Sequence, residues 1–302
     1  MSRTAVPTRG RRLFRMLAAF GVLLGLAGYL LVHHLSARGP GAPGCRVTAG
    51  GDGADPYELG LSQARNAATI AAVGSSQGLP ERAITIALAT AMQESSLHNL
   101  DHGDRDSLGL FQQRPSQGWG EPEQIMDPVY SAGKFYEHLV EVPGYSRLPL
   151  TVAAQKVQRS GYPQAYAKHE PNAALLARAL TGRSGASLNC TPGQGEDAVG
   201  DTGKVRAALH REFGAALPAG FENETGGKRA SSRVTVPVTG RSGAEAERRG
   251  WAVAHWAVAH SVELRIAEVS YAGRVWSASE AGAGWRRVDE DAAREVVLST
   301  VR

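Results

Sequence analysis

The sequence predicts a mainly α-helical domain and a small α+β domain, both following an N-terminal transmembrane helix. Three observations support this fold class. Residues 16–34 form an uncharged, largely apolar run. Residues 57–182 place apolar side chains three or four positions apart, the spacing of one helix face. Residues 204–302 combine that spacing with short alternating runs, which are typical of strands.

The apolar run at 16–34 has the length and the flanks of a signal anchor. A membrane-spanning helix needs about 20 residues, with a lower limit near 17. The only charged side chains in 1–15 are arginines, and the positive-inside rule places such a flank in the cytoplasm. We therefore expect a single-pass protein of the cell membrane, with the residues after about 35 outside the cell. The alternative is a cleaved signal peptide, which would have a shorter core and a small-residue cleavage site.

Outside this basic tail the chain is close to neutral. It carries 33 Lys+Arg and 29 Asp+Glu, a net charge of +4, and five of those arginines lie in the tail. A nucleic-acid partner would require a basic surface, so we expect none. The sequence has no His-Glu-x-x-His, Cys-x-x-Cys or phosphate-binding glycine pattern, and we expect neither a metal nor another cofactor. The sequence does not identify a protein partner.

The two cysteines, Cys45 and Cys190, bracket the predicted helical domain. Outside the cytoplasm an even pair without metal-ligand spacing predicts a disulfide, and two unrelated thiols are the alternative. Glycine-rich and proline-rich stretches predict a flexible stalk at 35–56 and a linker at 183–203. The expected order is therefore tail, anchor, stalk, helical domain, linker and C-terminal module.

The helix predicted from about 80 to 96 carries a carboxyl group on its apolar face. Glu94 lies two helical turns after Ala87, which belongs to that face. Burial penalises a charged carboxylate, so the pKa of Glu94 should rise, as a general acid near neutral pH requires. The alternative is a structural glutamate that bonds a backbone amide or Arg105.

Two motifs around Glu94 resemble those of the soluble lytic transglycosylases, lysozyme-like enzymes that cleave peptidoglycan. That family combines an apolar helix ending in Glu-Ser with a loop of the form Ser-x-Gly-Leu-Met-Gln. Glu94-Ser95 matches the first motif and Ser107–Gln112 matches the second, with Phe111 in place of Met. The resemblance covers about 57–182. It implies a lysozyme-like fold that acts on the β-1,4 bond between N-acetylmuramic acid and N-acetylglucosamine in glycan strands.

The resemblance also implies roles for individual residues. Glu94 would be the catalytic acid and base. The Gly109 loop and its neighbours would bind substrate, and the aromatic residue among them either stacks on a sugar or packs in the core. A second carboxylate, from Asp104 or Asp106, would activate water for hydrolysis; without one, the C6 hydroxyl of the substrate closes a 1,6-anhydro ring. Both aspartates could instead cap a turn. The predicted binding residues are Ser95, Ser107, Gly109, Gln112, Gln113 and Trp119.

One motif of that family is missing. The Ala-Tyr-Asn-Ala-Gly segment, whose tyrosine supports the catalytic glutamate, has its nearest counterpart at 153–161, where Gln155 replaces the tyrosine. This departure keeps a second function open, that of a non-catalytic wall-binding or scaffold protein with a lysozyme-like cleft. The C-terminal module at 204–302 resembles a small module appended to secreted actinobacterial proteins, and its tryptophans are expected in the core.

Overall fold

The computed structural model describes residues 17–29, 42–49, 55–158, 163–193, 199–218, 221, 232–288 and 295–302. It divides into two compact units, Met1–Ala42 and Pro43–Arg302. In the first unit, helix α1 spans 17–29 and exposes apolar side chains such as Leu17, Phe20 and Leu23. Within the described part of the chain, no helix is both long and apolar enough to cross a membrane. Residue 16, residues 30–34 and the tail at 1–15 lie outside the described residues.

The first part of the second unit is built mainly of helices. Helix α3 is its centre, because α2, α5, α6 and α7 all contact it. Side chains on all sides of α3 are buried between Ala83 and Met92, and many are alanines that let neighbouring helices approach closely. The helices are α2 (Leu61–Ser76), α3 (Glu81–Ser95), α4 (Pro122–Ile125), α5 (Pro128–Val140), α6 (Leu150–Gln158) and α7 (Glu170–Leu180).

A three-stranded antiparallel sheet joins the two ends of this helical block. Its strands, β1 (Gly44–Val47), β2 (Tyr57–Leu59) and β3 (Leu188–Thr191), lie in the order β2-β1-β3. Cys45 lies directly opposite Cys190, and their sulfur atoms are 2.07 Å apart. The predicted disulfide is confirmed.

The boundaries expected on either side of the helical block differ from the structure. Strand β1 lies within 35–56, where a stalk was expected, and β3 lies within 183–203, where a linker was expected. The reason is that the two segments pair with each other across the disulfide. Such pairing at long range is not visible in a glycine-rich composition. Residues 35–41, 50–54 and 194–198 lie outside the described residues.

Within its described residues, the C-terminal module has two α-helices and a five-stranded antiparallel sheet in the order β4-β8-β5-β6-β7. Strand β4 lies at an edge, as Pro237 predicted, since proline cannot donate to a central ladder. Three of the four tryptophans expected in the core, Trp251, Trp256 and Trp276, are buried. The fourth, Trp285, is half-buried and packs edge-on against Trp251 with ring centroids 5.2 Å apart. The elements are α8 (Thr202–Phe213), α9 (Gly243–Ala259), β4 (Arg233–Pro237), β5 (Ile266–Tyr271), β6 (Arg274–Ser277), β7 (Arg286–Arg287) and β8 (Glu295–Thr300).

The C-terminal module and the helical block share a buried polar contact within one compact unit. Glu212 of α8 accepts a hydrogen bond from Trp256 Nε1 at 2.7 Å and pairs with His260 Nε2 at 3.3 Å. Thr69 of α2 also hydrogen-bonds this carboxyl. Burial alone would raise the pKa of Glu212, but the charge of His260 and these hydrogen bonds lower it below its ordinary value. The contact ties α2 to α8 and to the end of α9.

Candidate active site

The position of Glu94 is fixed by the way α3 ends. Glu94 lies half-buried in the last turn, and the two residues after the helix, Ser96 (φ 53°) and Leu97 (φ 63°), adopt the left-handed conformation. Residues other than glycine adopt this backbone conformation at a cost in free energy. Two amides of α2 offset it, because Gln63 Nε2 donates to the Ser96 carbonyl at 2.7 Å and Asn66 Nδ2 donates to the Leu97 carbonyl at 2.8 Å. Helix α2 therefore stabilises the end of α3.

Two side chains from outside α3 hydrogen-bond the carboxyl group of Glu94. The hydroxyl of Tyr166, a fully buried side chain, donates to Glu94 Oε1 at 2.5 Å, and the side chain of Gln158 also hydrogen-bonds this carboxyl. Burial raises the pKa of Glu94, and the hydrogen bonds from Tyr166 and Gln158 offset part of the increase. The pKa stays above its ordinary value, so Glu94 retains a proton at higher pH than an exposed glutamate does.

Tyr166 belongs to a short 3-10 segment, Pro163–His169, that packs against the end of α3. Side chains three apart eclipse one another in a 3-10 helix, so Tyr166 and His169 face the same way. His169 Nε2 lies 3.1 Å from Gln93 Oε1, and since that oxygen only accepts, the histidine nitrogen is the donor. Two hydrogen bonds thus hold the segment against neighbouring residues of α3.

Sequence reasoning missed Tyr166. The comparison with the family motif stopped at 161 and placed Gln155 where the tyrosine was expected, but the hydroxyl that reaches Glu94 comes from the segment after α6. The one available signal was a tyrosine shortly beyond the compared stretch. Spacing alone does not show that the chain turns back onto α3 at that point.

The Ser107–Gln112 motif forms a tight loop that needs its glycine. Leu100 pairs with Gly109 and Leu108 pairs with Gln113 in isolated antiparallel bridges. Gly109 has φ +76°, and a Cβ there would lie 2.7 Å from the backbone oxygen of Ile125. Only glycine combines this conformation with this approach at low cost.

Two hydrogen bonds connect this loop to neighbouring helices. Ser95 Oγ donates to the Leu110 carbonyl at 2.7 Å, and Gln158 Nε2 donates to the Phe111 carbonyl at 2.6 Å. The ring of Phe111, the residue that replaces Met in the motif, stacks on Phe135 with centroids 4.7 Å apart. The structure therefore brings the two motifs recognised in the sequence together.

The predicted substrate-binding residues divide by accessibility. Gln112 is half-buried and donates weakly from Nε2 to the carbonyls of His102 and Gly109, both at 3.3 Å. Ser95 and Ser107 are buried, and Gln113 is buried with its Nε2 on the Ser131 carbonyl. Half-buried Trp119 packs on the ring of His138, with centroids 4.5 Å apart. Their contact with substrate stays a prediction.

The two aspartates have different environments. Asp106 Oδ1 accepts from Arg114 Nε at 2.6 Å, and Asp106 Oδ2 accepts from the Ser116 amide at 2.9 Å. Hydrogen bonds from Ser116 and Arg114 hold the pKa of Asp106 well below its usual range. Asp104 is almost fully exposed and lies 4.0 Å from Arg105, the residue considered as a partner for Glu94. Asp106 therefore stabilises the conformation of residues 106–116.

The described residues contain no cluster of three or more histidine, cysteine, aspartate or glutamate side chains placed to hold a metal ion. His255 is engaged on both ring nitrogens: Nδ1 donates to the Ala179 carbonyl at 2.8 Å and Nε2 accepts from the Ser187 amide at 3.2 Å. Burial lowers the pKa of His255 to about 4. It is a neutral core histidine that links α9 to α7.

The comparisons with known proteins concern the C-terminal module. Residues 204–294 match the family model described as VldE, C-terminal domain. The match begins within α8, takes in β4, α9, β5, β6 and β7, and ends directly before β8. It covers less than half of the chain, and Glu94 and its loop lie outside it. No curated protein matches the chain. The similarity supports a distinct C-terminal module.

Proposed function

We propose that this protein is a membrane-anchored enzyme that cleaves the β-1,4 bond between N-acetylmuramic acid and N-acetylglucosamine in peptidoglycan outside the cytoplasm. One observation carries the proposal. The half-buried carboxyl of Glu94 has a raised pKa, accepts a hydrogen bond from Tyr166 and lies beside the loop of the second motif. A positioned acid of this kind is what glycosidic cleavage requires.

The hydrogen bond from Tyr166 occupies one oxygen of the Glu94 carboxyl group. Since Tyr166 donates to Oε1, we assign the proton of the neutral carboxyl to Oε2. That hydrogen passes to the glycosidic oxygen as the bond to C1 breaks. The resulting carboxylate then takes a proton from the group that attacks C1, so Glu94 returns to its starting state.

We favour the lytic transglycosylase reaction over hydrolysis. Hydrolysis with inversion needs a second carboxylate to activate water. Asp106 is a weak base because Arg114 and Ser116 hold its pKa low, and Asp104 extends into solvent. Without such a base, the C6 hydroxyl of the substrate attacks C1 and forms a 1,6-anhydro product.

The membrane location is part of the same proposal. The exposed apolar side chains of α1 suit a lipid environment better than water, and the disulfide between Cys45 and Cys190 suits an oxidising compartment. A second function, a non-catalytic wall-binding or scaffold protein, drew its support from the missing tyrosine motif. The hydroxyl of Tyr166 on Glu94 weakens that support.

The experiment is digestion of purified sacculi by the full-length, detergent-solubilised protein, with products identified by mass spectrometry. We expect anhydro-muropeptides from the wild type and a loss of on the order of 10² to 10⁴ in rate for Glu94→Gln, because general acid catalysis contributes about that much. Asp104→Asn should retain the wild-type rate and products. Reducing ends that disappear in Asp104→Asn or Asp106→Asn would indicate a hydrolase. No product from the wild type would favour the scaffold function.

A further inference from the structure

Gln158, the last residue of α6, contacts both halves of the candidate site. Its Nε2 donates to the backbone carbonyl of Phe111 at 2.6 Å, next to Gln112 in the loop. Its side chain also hydrogen-bonds the Glu94 carboxyl. An amide nitrogen carries two hydrogens, so one side chain can donate to a carbonyl and to a carboxylate at the same time.

A second connection joins the residue after Glu94 to the residue before Phe111. Ser95, which follows Glu94, donates directly to the carbonyl of Leu110, which precedes Phe111. Neighbouring residues of α3 are therefore connected to neighbouring residues of the loop, Ser95 directly and Glu94 through Gln158. The bond from Ser95 fixes one backbone against the other. The bonds from Gln158 extend that constraint to the reacting carboxyl group.

We propose that Gln158 is a positioning residue that holds the Glu94 carboxyl at a set distance from the Phe111–Gln112 backbone. A sugar bound by that loop then places its glycosidic oxygen within reach of the acid. The inference rests on the proposed role of Glu94 and adds a residue that belongs to neither motif shared with the transglycosylases. Positioning matters because a displacement of about 1 Å at a reacting group can cost on the order of 10² in rate.

The test compares Gln158→Leu and Gln158→Glu with the wild type in turnover of soluble, uncrosslinked peptidoglycan strands. Both variants lose the donor to the Phe111 carbonyl and to the Glu94 carboxyl. Loss of the hydrogen bond to the charged Glu94 carboxylate should lower kcat about tenfold to a hundredfold and change KM little. Removal of a donor also raises the pKa of Glu94, so the upper limb of the kcat/KM profile should move to higher pH. Gln158→Glu should move it further, because it places a second carboxylate beside the first.

A matched control is Gln77→Leu at the far end of α2. Gln77 is exposed, whereas Gln63 at the near end contacts Ser96, and the intervening helix is roughly 20 Å long. This variant should behave like the wild type. Suppose that both Gln158 variants keep the wild-type melting temperature, the wild-type kcat and the wild-type pH dependence of kcat/KM, while Glu94→Gln is inactive. The positioning role is then wrong and the proposed function stands. If Glu94→Gln is as active as the wild type, both proposals fail.

Discussion

The hydroxyl oxygen of Tyr166 lies 2.5 Å from Oε1 of Glu94, although the two residues are 72 positions apart in the sequence. Tyr166 is fully buried and approaches from the 3-10 segment that precedes α7, while Glu94 lies in the last turn of α3. The contact supplies a hydrogen-bond donor to the carboxyl group of the first motif, Glu94-Ser95, which lies beside the loop of the second. It also provides a hydroxyl where comparison with the transglycosylase motif had found a glutamine, Gln155.

Tyr166→Phe removes this hydroxyl and leaves the ring in place. Because a hydrogen bond to a charged group contributes about 1.5 to 3 kcal/mol, we expect peptidoglycan cleavage to fall at least about tenfold. The loss of a donor raises the pKa of Glu94 further, so the upper limb of the pH–rate profile should move to higher pH. Steady-state digestion across pH measures both effects. Tyr271→Phe, in the C-terminal module, is the control, and an equal fall in that variant would contradict the assignment.

Gly109→Ala should destabilise the loop beside Glu94. The added Cβ would lie 2.7 Å from the Ile125 carbonyl oxygen. The alanine would also have to adopt the backbone angle φ +76°. We expect a loss of about 1 to 3 kcal/mol in the free energy of unfolding, measured by urea denaturation. Gly118→Ala separates the two causes, since Gly118 has φ +80° but no atom within 4 Å of the added Cβ. A loss as large at Gly118 would attribute the whole effect to backbone strain.

Glu212→Gln should reduce stability in a pH-dependent way. The folded state lowers the pKa of Glu212 below its unfolded value of about 4.3, so its contribution is complete above that pH and is lost as the pH falls through the folded value. The melting-temperature difference between wild type and variant should therefore be largest above about pH 5 and narrow below about pH 4. Glu137→Gln, at an exposed residue of α5, should show little difference at any pH. A constant difference for Glu212→Gln would exclude the ion pair as its cause.

Cys45→Ser with Cys190→Ser should lower stability without changing the candidate site. The disulfide closes a loop of 145 residues, for which chain entropy gives at most about 4 to 5 kcal/mol. Thermal unfolding of the double variant should resemble that of the wild type in reducing agent. Identical unfolding of oxidised and reduced wild type would show that the pairing of β1 with β3 suffices alone.

The local features of this protein were predictable from its amino-acid sequence. Apolar spacing located the helix that carries Glu94, since one buried face repeats every three or four residues. The Glu94-Ser95 and Ser107–Gln112 motifs identified the two segments of the candidate site because each is contiguous. The cysteine count was enough to predict the disulfide between Cys45 and Cys190, which the structure confirms.

Contacts between residues far apart in the chain became visible only in the three-dimensional fold. The approach of Tyr166 and Gln158 to Glu94 depends on how α6 and the following segment fold back over α3, and no local periodicity encodes that path. The strands at 44–47 and 188–191 formed within segments rich in glycine because partners far along the chain satisfied their backbone hydrogen bonds. The role of Asp106 also depended on the fold, since Arg114 and Ser116 donate hydrogen bonds to its carboxylate only after the chain has turned.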